Sequence, residues 1–365
     1  QRATPIIRTA ETSAAGQCTA GDVAVGHSSN EPTLGRAAHF CLRTTFKTMY
    51  AQCLFLATAL ATVSAAYLRA PASVQPAVQG RCWQPRSCAA DVTLLNSLGR
   101  VSKLKGETVV VKYGGHAMSN DELADGFAKD IALLQGLGMK PVVVHGGGPQ
   151  IGKMLEKLEI PSNFVNGLRV TDAATMQVAE MVLAGSINKK IASSICAAGG
   201  RALGLTGRDD NLVSATQKDP ELGLVGEPGL VRADRLQALL DTGVIPVIAP
   251  IAAGEDGQAF NLNADTMAGA VAGALRAHTL LLLTDVKGVL NSAGELLPNL
   301  SLAQSNGLIE DGTASGGMIP KLQNAMQAVE AGVGSAVIMD GRVPHCTLIH
   351  FFGEAAVGTA IAADL

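Results

Sequence analysis

Aromatic side chains are scarce in this chain, at 3% of 365 residues with a single Trp. That leaves little for the stacking platforms that hold single-stranded nucleic acid. An excess of either charge is missing too: 28 Lys and Arg stand against 31 Asp and Glu, a net charge of −3. There is no basic field for a nucleic-acid backbone and no acidic tail. After residue 90 only Cys196 and Cys346 remain. Two distant cysteines make neither a disulfide framework nor a zinc site, which suits a reduced compartment. The apolar run Cys53–Val63 is too short to cross a bilayer, so no membrane is expected for the mature form. No repeat of fixed period is visible.

What is present is apolar material, 47% of residues, and 41 glycines. That is enough for one large domain or two medium ones. Glycines among apolar runs suit an α/β protein with tight turns around a ligand.

Residues 1–90 differ from the rest. Only Glu11, Asp22 and Glu31 are acidic among its first 80 residues, while Arg, Ser, Thr and Ala are frequent. This is the composition of a targeting segment. The first Met is Met49, which opens a signal-like apolar stretch ending in the small residues Val63-Ser64-Ala65. The expectation is a start at Met49 and a two-part address to a plastid. A single long transit peptide is the alternative. Over residues 91–105, Val92, Leu95, Leu98, Val101 and Leu104 recur three apart and predict an amphipathic helix. It either lies on its own domain or serves as an arm that binds another subunit.

From residue 106 onward the chain alternates short β-rich runs with helical patterns. GETVVVK (106–112) ends in Lys112, followed by Gly114-Gly115. Ser119 and Glu122 read as a capping box for a helix to about Leu137. KPVVVH (140–145) runs into Gly146-Gly147-Gly148. Further strands are expected at 202–207, 243–250, 279–285 and 335–340, and helices at 173–183, 186–198, 264–275 and 317–331. Strand, glycine turn and helix in succession predict a three-layer αβα architecture on an open, mainly parallel sheet. Ligands then sit at the carboxyl ends of the strands, where Lys112, Gly146 to Gly148, Asp285 and Asp340 fall.

Gly147-x4-Gly152-Lys153 resembles a P-loop, but Met154 stands where Ser or Thr must hold Mg²⁺. The dinucleotide-binding GxGxxG does not follow the first strand, and the protein-kinase motifs are missing. What remains is Gly-rich turns with lysines, suited to positioning and neutralising phosphoryl oxygens. Singly, Lys112 reads as a strand end and Lys321 as a helix-surface cation.

The motifs VVVKYGG (109–115), VVVHGGGPQI (142–151), NGLRVTD (166–172), GQAFNLNADT (257–266), LLLTDVKGVL (281–290), GGMIPK (316–321) and DGRVPH (340–345) together resemble the N-acetylglutamate kinases of the amino acid kinase family. The plant and algal branch is the most similar. The resemblance runs from about residue 92 to 361. It implies ATP-dependent phosphorylation of N-acetyl-L-glutamate to N-acetyl-L-glutamyl 5-phosphate, toward arginine. A sibling kinase acting on glutamate or aspartate, or a nucleotide-binding scaffold without turnover, are the alternatives. Domain 106–365 would carry a substrate half and an ATP half.

By this resemblance Lys112 and Lys321 stabilise the transition state and Asp265 orients both. Arg169 clamps a substrate carboxylate, Gly147 and Gly148 hold the reacting carboxylate, and Asn261 meets the acetamide. Thr284, Asp285, Gly288 and Val289 take adenine and ribose. Gly114, Gly115, Gly316 and Gly317 face the phosphates. Mg²⁺ is expected to arrive with ATP, with no protein carboxylate cage. The acceptor carboxylate is already ionised near neutrality, so no general base is required. His116 and His145 read as wall residues. The resemblance also implies a dimer or hexamer, arginine as an effector and the PII signalling protein as a partner. Where the relatives carry a glutamate near the C terminus, this chain has Ala355, with Ala356 after it, which predicts weakened arginine inhibition.

Overall fold

β-branched residues set where the strands form. Val109 to Val111 lie in β1 (Thr108–Tyr113), and Val142 to Val144 lie in β2 (Lys140–His145). The computed structural model describes residues 88–118, 120–354 and 356–363. The expected start at Met49, the cleavage site and the targeting region as far as residue 87 lie outside them, as does Ala355. Along the chain follow β3 (Phe164–Val165), β4 (Leu168–Arg169), β5 (Ala202–Thr206), β6 (Val213–Gln217) and β7 (Val225–Val231). Then come β8 (Ile245–Ala249), β9 (Ile251–Ala253), β10 (Ala259–Leu262), β11 (Thr279–Thr284), β12 (Asn299–Ser301), β13 (Ser335–Asp340) and β14 (Thr359–Ala362).

Eight of these form one sheet in the order β12-β14-β13-β11-β1-β2-β8-β5. Every neighbour pair is parallel except β13 with β14. The helices are α1 (Cys88–Leu104), α2 (Asp121–Gly136), α3 (Gly148–Lys157), α4 (Ala173–Glu180) and α5 (Asn188–Ala197). They continue with α6 (Ala233–Asp241), α7 (Ala264–Ala274), α8 (Leu302–Glu310), α9 (Met318–Glu330) and α10 (Cys346–Phe352).

Successive strand residues point to opposite faces, so the valine and leucine runs feed two cores at once. On one face Val109, Val111, Val143 and Leu281 pack with Ile131 of α2 and Ile195 of α5. On the other Val110, Val142, Val144 and Leu282 pack with Met267 of α7 and Leu322 of α9. Each fully buried side chain of this kind contributes about 1.5–3 kcal/mol relative to exposure. Three layers result, as the alternating pattern implies.

Four departures from the sequence expectations have local causes. The cap of α2 is Asn120, whose side chain accepts from the N–H groups of Glu122 and Leu123, whereas Ser119 lies outside the described residues. The helices expected at 173–183 and 186–198 are joined by a π turn over Met181–Ile187, which widens the run without ending it. Strands β6, β7, β9 and β10, largely unforeseen, close a second four-stranded sheet on themselves. The described N-terminal helix extends from 88 to 104, with Leu104 buried but Leu95 and Leu98 66% and 56% exposed.

Candidate functional site

The parallel register aligns the strand ends. Tyr113 sits beside His145, and Thr284 beside Asp340. The turns after β1, β2, β11 and β13 therefore share one sheet edge, as expected.

At the centre of that edge Lys112 Nζ lies 2.9 Å from Asp265 Oδ1, with both side chains 14% exposed. The contact has ion-pair distance without the direction of a hydrogen bond. Asp265 occupies the first turn of α7, where the Asn263 side chain caps the N–H groups of Asp265 and Thr266. An acid there is favoured by the helix N-terminus and held next to the lysine. Gly114 lies beside it: a Cβ at that position would stand in ordinary contact, 3.4 Å from Lys112 Nζ.

Lys321 follows the Gly316-Gly317 turn, in the first turns of α9, and is half-buried. Helix α9 packs beside α7, and Thr266 Oγ1 reaches Asn324 Oδ1 at 3.4 Å. That contact joins the turn holding Asp265 to the turn following Lys321. No ion pair of Lys321 occurs among the described residues.

A cavity of about 640 Å³ opens on one side of the Lys112–Asp265 pair. Gly146, Gly147, Gly148, Arg169, Asn261 and Ala264 are among its lining residues. Gly147 has no space for a side chain, because a Cβ would sit 2.4 Å from Ile187 Cδ1 and 2.6 Å from Leu183 Cδ2. Both neighbours belong to the π turn, so that turn presses the glycine loop into place. Arg169 is anchored three ways. Its Nη2 donates to Gly148 O at 3.0 Å, its Nη1 donates to Ser162 Oγ, and its guanidinium lies 4.6 Å above the Phe164 ring. Partial burial pulls it below the usual arginine pKa, yet it stays a cation near neutrality. Asn261 Nδ2 donates to Thr171 Oγ1 at 3.3 Å, which fixes the amide at the cavity wall.

A second, smaller pocket of about 330 Å³ lies at the turn after β11. Asp285, Gly288 and Val289 line it, with Lys287, Ser315, Met318 and Arg342. Thr284 lies behind it: its hydroxyl accepts from the Val286 N–H at 3.1 Å and shapes the turn. Arg342 Nη2 donates to Asp285 O at 2.7 Å and to Asp340 Oδ2 at 2.8 Å. This pairing holds the Asp340 carboxyl below its usual range. Gly316 and Gly317 adjoin the lining residues Ser315 and Met318. Gly115 begins a short 3-10 turn after β1.

A cavity lined by an arginine and a glycine turn, a half-buried lysine–aspartate pair and a second pocket on one sheet edge suit group transfer between two bound molecules. The sequence pattern of the amino acid kinase family matches residues 107–340. The chain belongs to the amino acid kinase family. It is 55% identical over 282 residues to the acetylglutamate kinase of Rhizorhabdus wittichii, covering 74% of this chain and 94% of that protein. It is 54% identical over 284 residues to the acetylglutamate kinase of Erythrobacter litoralis, covering 74% and 95%. Among solved structures it resembles N-acetylglutamate synthase from Neisseria gonorrhoeae, complexed with coenzyme A and N-acetyl-glutamate, with a TM-score of 0.68 at 24% identity. The match covers 75% of this chain and 64% of that one. The structure of smu.665 from Streptococcus mutans matches with a TM-score of 0.60 at 32% identity, over 70% of this chain and 99% of that one.

The family motifs did not include Ser162 or Phe164, and Lys287 and Arg342, though inside LLLTDVKGVL and DGRVPH, were not singled out as lining or bracing residues. Ser162 and Phe164 lie four and two positions before the NGLRVTD motif, Ser162 outside any strand and Phe164 in a two-residue strand too short to register as a pattern.

Proposed function

We propose that the protein transfers the γ-phosphoryl group of ATP to the γ-carboxylate of N-acetyl-L-glutamate, in arginine biosynthesis. The observation that carries this is the cavity in which Arg169, the Gly147-Gly148 turn and Asn261 converge beside Lys112 and Asp265. Arg169 holds the α-carboxylate through its fork. The N–H groups at Gly147 and Gly148, near the start of α3, hold the reacting carboxylate. Asn261 engages the acetamide. ATP lies along Asp285, Gly288, Val289 and the Gly316-Gly317 turn, with Gly114 and Gly115 facing its phosphates and Thr284 supporting the adenine turn.

The step needs no proton transfer. A carboxylate oxygen forms the new P–O bond as the bond from the γ-phosphorus to the β–γ bridging oxygen breaks, and ADP leaves with that oxygen. The products are ADP and an acyl phosphate, N-acetyl-L-glutamyl 5-phosphate. Lys112 and Lys321 offset charge on the transferring group from two sides, and Asp265, paired with Lys112, aims that lysine. Mg²⁺ enters with ATP as part of the substrate. Among the described residues no three His, Cys, Asp or Glu side chains are grouped to hold a metal.

A coupled ADP-release assay tests this with N-acetyl-L-glutamate, L-glutamate and L-aspartate in parallel. Turnover with the first alone is expected. Preference for glutamate or aspartate would make this a sibling kinase, and ATP binding without turnover would make it a scaffold.

Assembly and control follow from the same reading. Ser97 Oγ donates to Phe352 O at 3.0 Å and Arg100 Nη1 donates to Gly353 O, so α1 is tied to the end of α10 while Leu95 and Leu98 face outward. Those leucines are an arm for a second subunit, in a hexamer built from dimers. Solution mass before and after Leu98→Glu tests it. Ala355, standing where the relatives carry a glutamate, weakens arginine inhibition in this chain, read by titrating activity with arginine. PII binding is tested by co-sedimentation. The plastid address rests on the sequence alone, since the relatives compared are bacterial, and N-terminal sequencing of the mature protein checks it.

A further inference from the structure

His145 is fully buried at the end of β2, immediately before the glycine turn. Nothing in the transfer chemistry calls for it. Its ring nevertheless has both nitrogens engaged. Nδ1 lies 2.9 Å from Gly146 O, and Nε2 lies 3.1 Å from Asn188 Nδ2. Asn188, equally buried, is the first residue after the π turn.

The orientation of the Asn188 amide is fixed by its other neighbours. Nδ2 lies 2.8 Å from Val247 O and 3.2 Å from Leu205 O, two carbonyls that can only accept. Lys189 Nζ donates to Asn188 Oδ1 at 3.3 Å and to Gly204 O at 2.8 Å. The NH₂ group therefore faces the imidazole, its two hydrogens shared among Val247 O, Leu205 O and Nε2, and since an amide nitrogen does not accept, Nε2 carries no proton. The proton then resides on Nδ1 and is donated to Gly146 O.

That bond has a geometric consequence. In a trans peptide the carbonyl of Gly146 and the N–H of Gly147 point in opposite directions. Tying Gly146 O to the ring turns the Gly147 N–H to the other side. Gly147 O is taken by the Ile151 N–H, and Gly148 O by Arg169, while the N–H groups of Gly147 and Gly148 have no protein acceptor among the described residues.

We propose that His145 is a positioning residue for the phosphoryl acceptor: Asn188 locks its ring in the neutral Nδ1–H form, and the ring aims the Gly147 N–H at the reacting carboxylate. This rests on the function proposed above. A protonated ring would need a second acceptor at Nε2, where Asn188 offers only hydrogens. Burial also lowers the ring's pKa to about 4, with the Lys189 ammonium opposing protonation. The Tyr113 phenol, beside His145 in register, is pushed above its usual range by burial and is neutral too. Gly204 on β5 belongs to the device, because a Cβ there would sit 2.0 Å from Asn188 Oδ1.

Two measurements test this. The first needs no activity. Nitrogen NMR of the unmutated protein with ¹⁵N-labelled histidine should show the His145 ring, told from the also buried His350 by its disappearance in His145→Asn, protonated on Nδ1 and not titrating between about pH 5 and 8. Asn188→Asp should convert that ring to an Nε2-protonated or charged form. If the His145 ring titrates there, or the Asn188→Asp spectrum is unchanged, the lock is wrong whatever the enzyme acts on.

The second uses kinetics with N-acetyl-L-glutamate. His145→Leu should lower kcat/KM about tenfold or more through the acceptor, with KM for ATP unchanged. His145→Asn, which restores a donor near Nδ1, should recover most of the loss. Gly204→Ala, which displaces Asn188 without touching the ring, should fall between them. Equal losses in His145→Leu and His145→Asn, or a matching rise in KM for ATP, would overturn the proposal. An unmutated protein without turnover would instead sink the function and leave the NMR result standing.

Discussion

The cavity proposed for the acceptor and the pocket proposed for the nucleotide share one sheet edge but are built by different means. In the cavity, side chains fix the binding group itself. Arg169 is stacked on Phe164, bonded to Ser162 and Gly148, and backed by a glycine turn that the π turn presses into place. In the pocket, the charged side chain braces the backbone. Arg342 spends its donors on Asp340 and the Asp285 carbonyl, and the lining is largely a turn. The contrast teaches where selectivity resides. A small acid with two carboxylates must be told from near copies, which takes a preorganised fork. Lys112 and Asp265 belong to neither side alone.

The largest expected effect tests that shared centre. Lys112→Met should lower kcat by about 10²–10³-fold, the scale for losing one transition-state donor, with both KM values near their starting points. A rise in one KM at constant kcat would assign the lysine to one side only. Next, Arg169→Lys should raise KM for N-acetyl-L-glutamate about tenfold or more and leave KM for ATP alone, because an ammonium cannot reproduce a stacked, two-pronged contact. Gly147→Ala should cost about 1–3 kcal/mol of stability by overpacking against Leu183 and Ile187, read as a lower denaturation midpoint. Arg342→Ala should raise KM for ATP by about two- to tenfold, matching roughly 0.5–1.5 kcal/mol for a bracing hydrogen bond. If it instead weakened acceptor binding, the two halves would not be separable.

The smallest effect is on pH. Burial lowers the pKa of His145 and His350 to about 4, from an ordinary value of 6.5. Below that ordinary value the unfolded chain binds more protons than the folded one, so stability is fullest above about pH 6.5 and declines toward pH 4. The thermal midpoint should be lower at pH 5 than at pH 7, and His145→Asn should narrow the gap.

Much of the sheet was legible because buried parallel strands are written as unbroken valine and leucine runs. KPVVVH and SAVIMD occupy the same residues in the structure as in the pattern. The second sheet was not, since Val225–Val231 contains two glycines and a proline and Ile251–Ala253 is three residues long. Neighbours of the lysines were legible only through motifs. Lys112 and Asp265 are 153 positions apart, and only the fold brings them to 2.9 Å. Asn188 gave no signal, because an asparagine in a helical pattern looks like any polar face until the β8 carbonyl above it is known.

The strand order also has a consequence for synthesis. The first strand of the great sheet is a central one: β1 is flanked by β2 on one side and β11 on the other. Val109 pairs with Thr279, 170 positions later. While the chain emerges from the ribosome, β1 and β2 can pair early, but the other edge of β1 stays open until β11 has been made. An open, valine-rich edge is the surface on which nascent chains stick to one another. Such non-local parallel pairing also slows folding. The protein should therefore depend on chaperones that cover that edge while the second half is being translated, and truncations ending before residue 279 should aggregate.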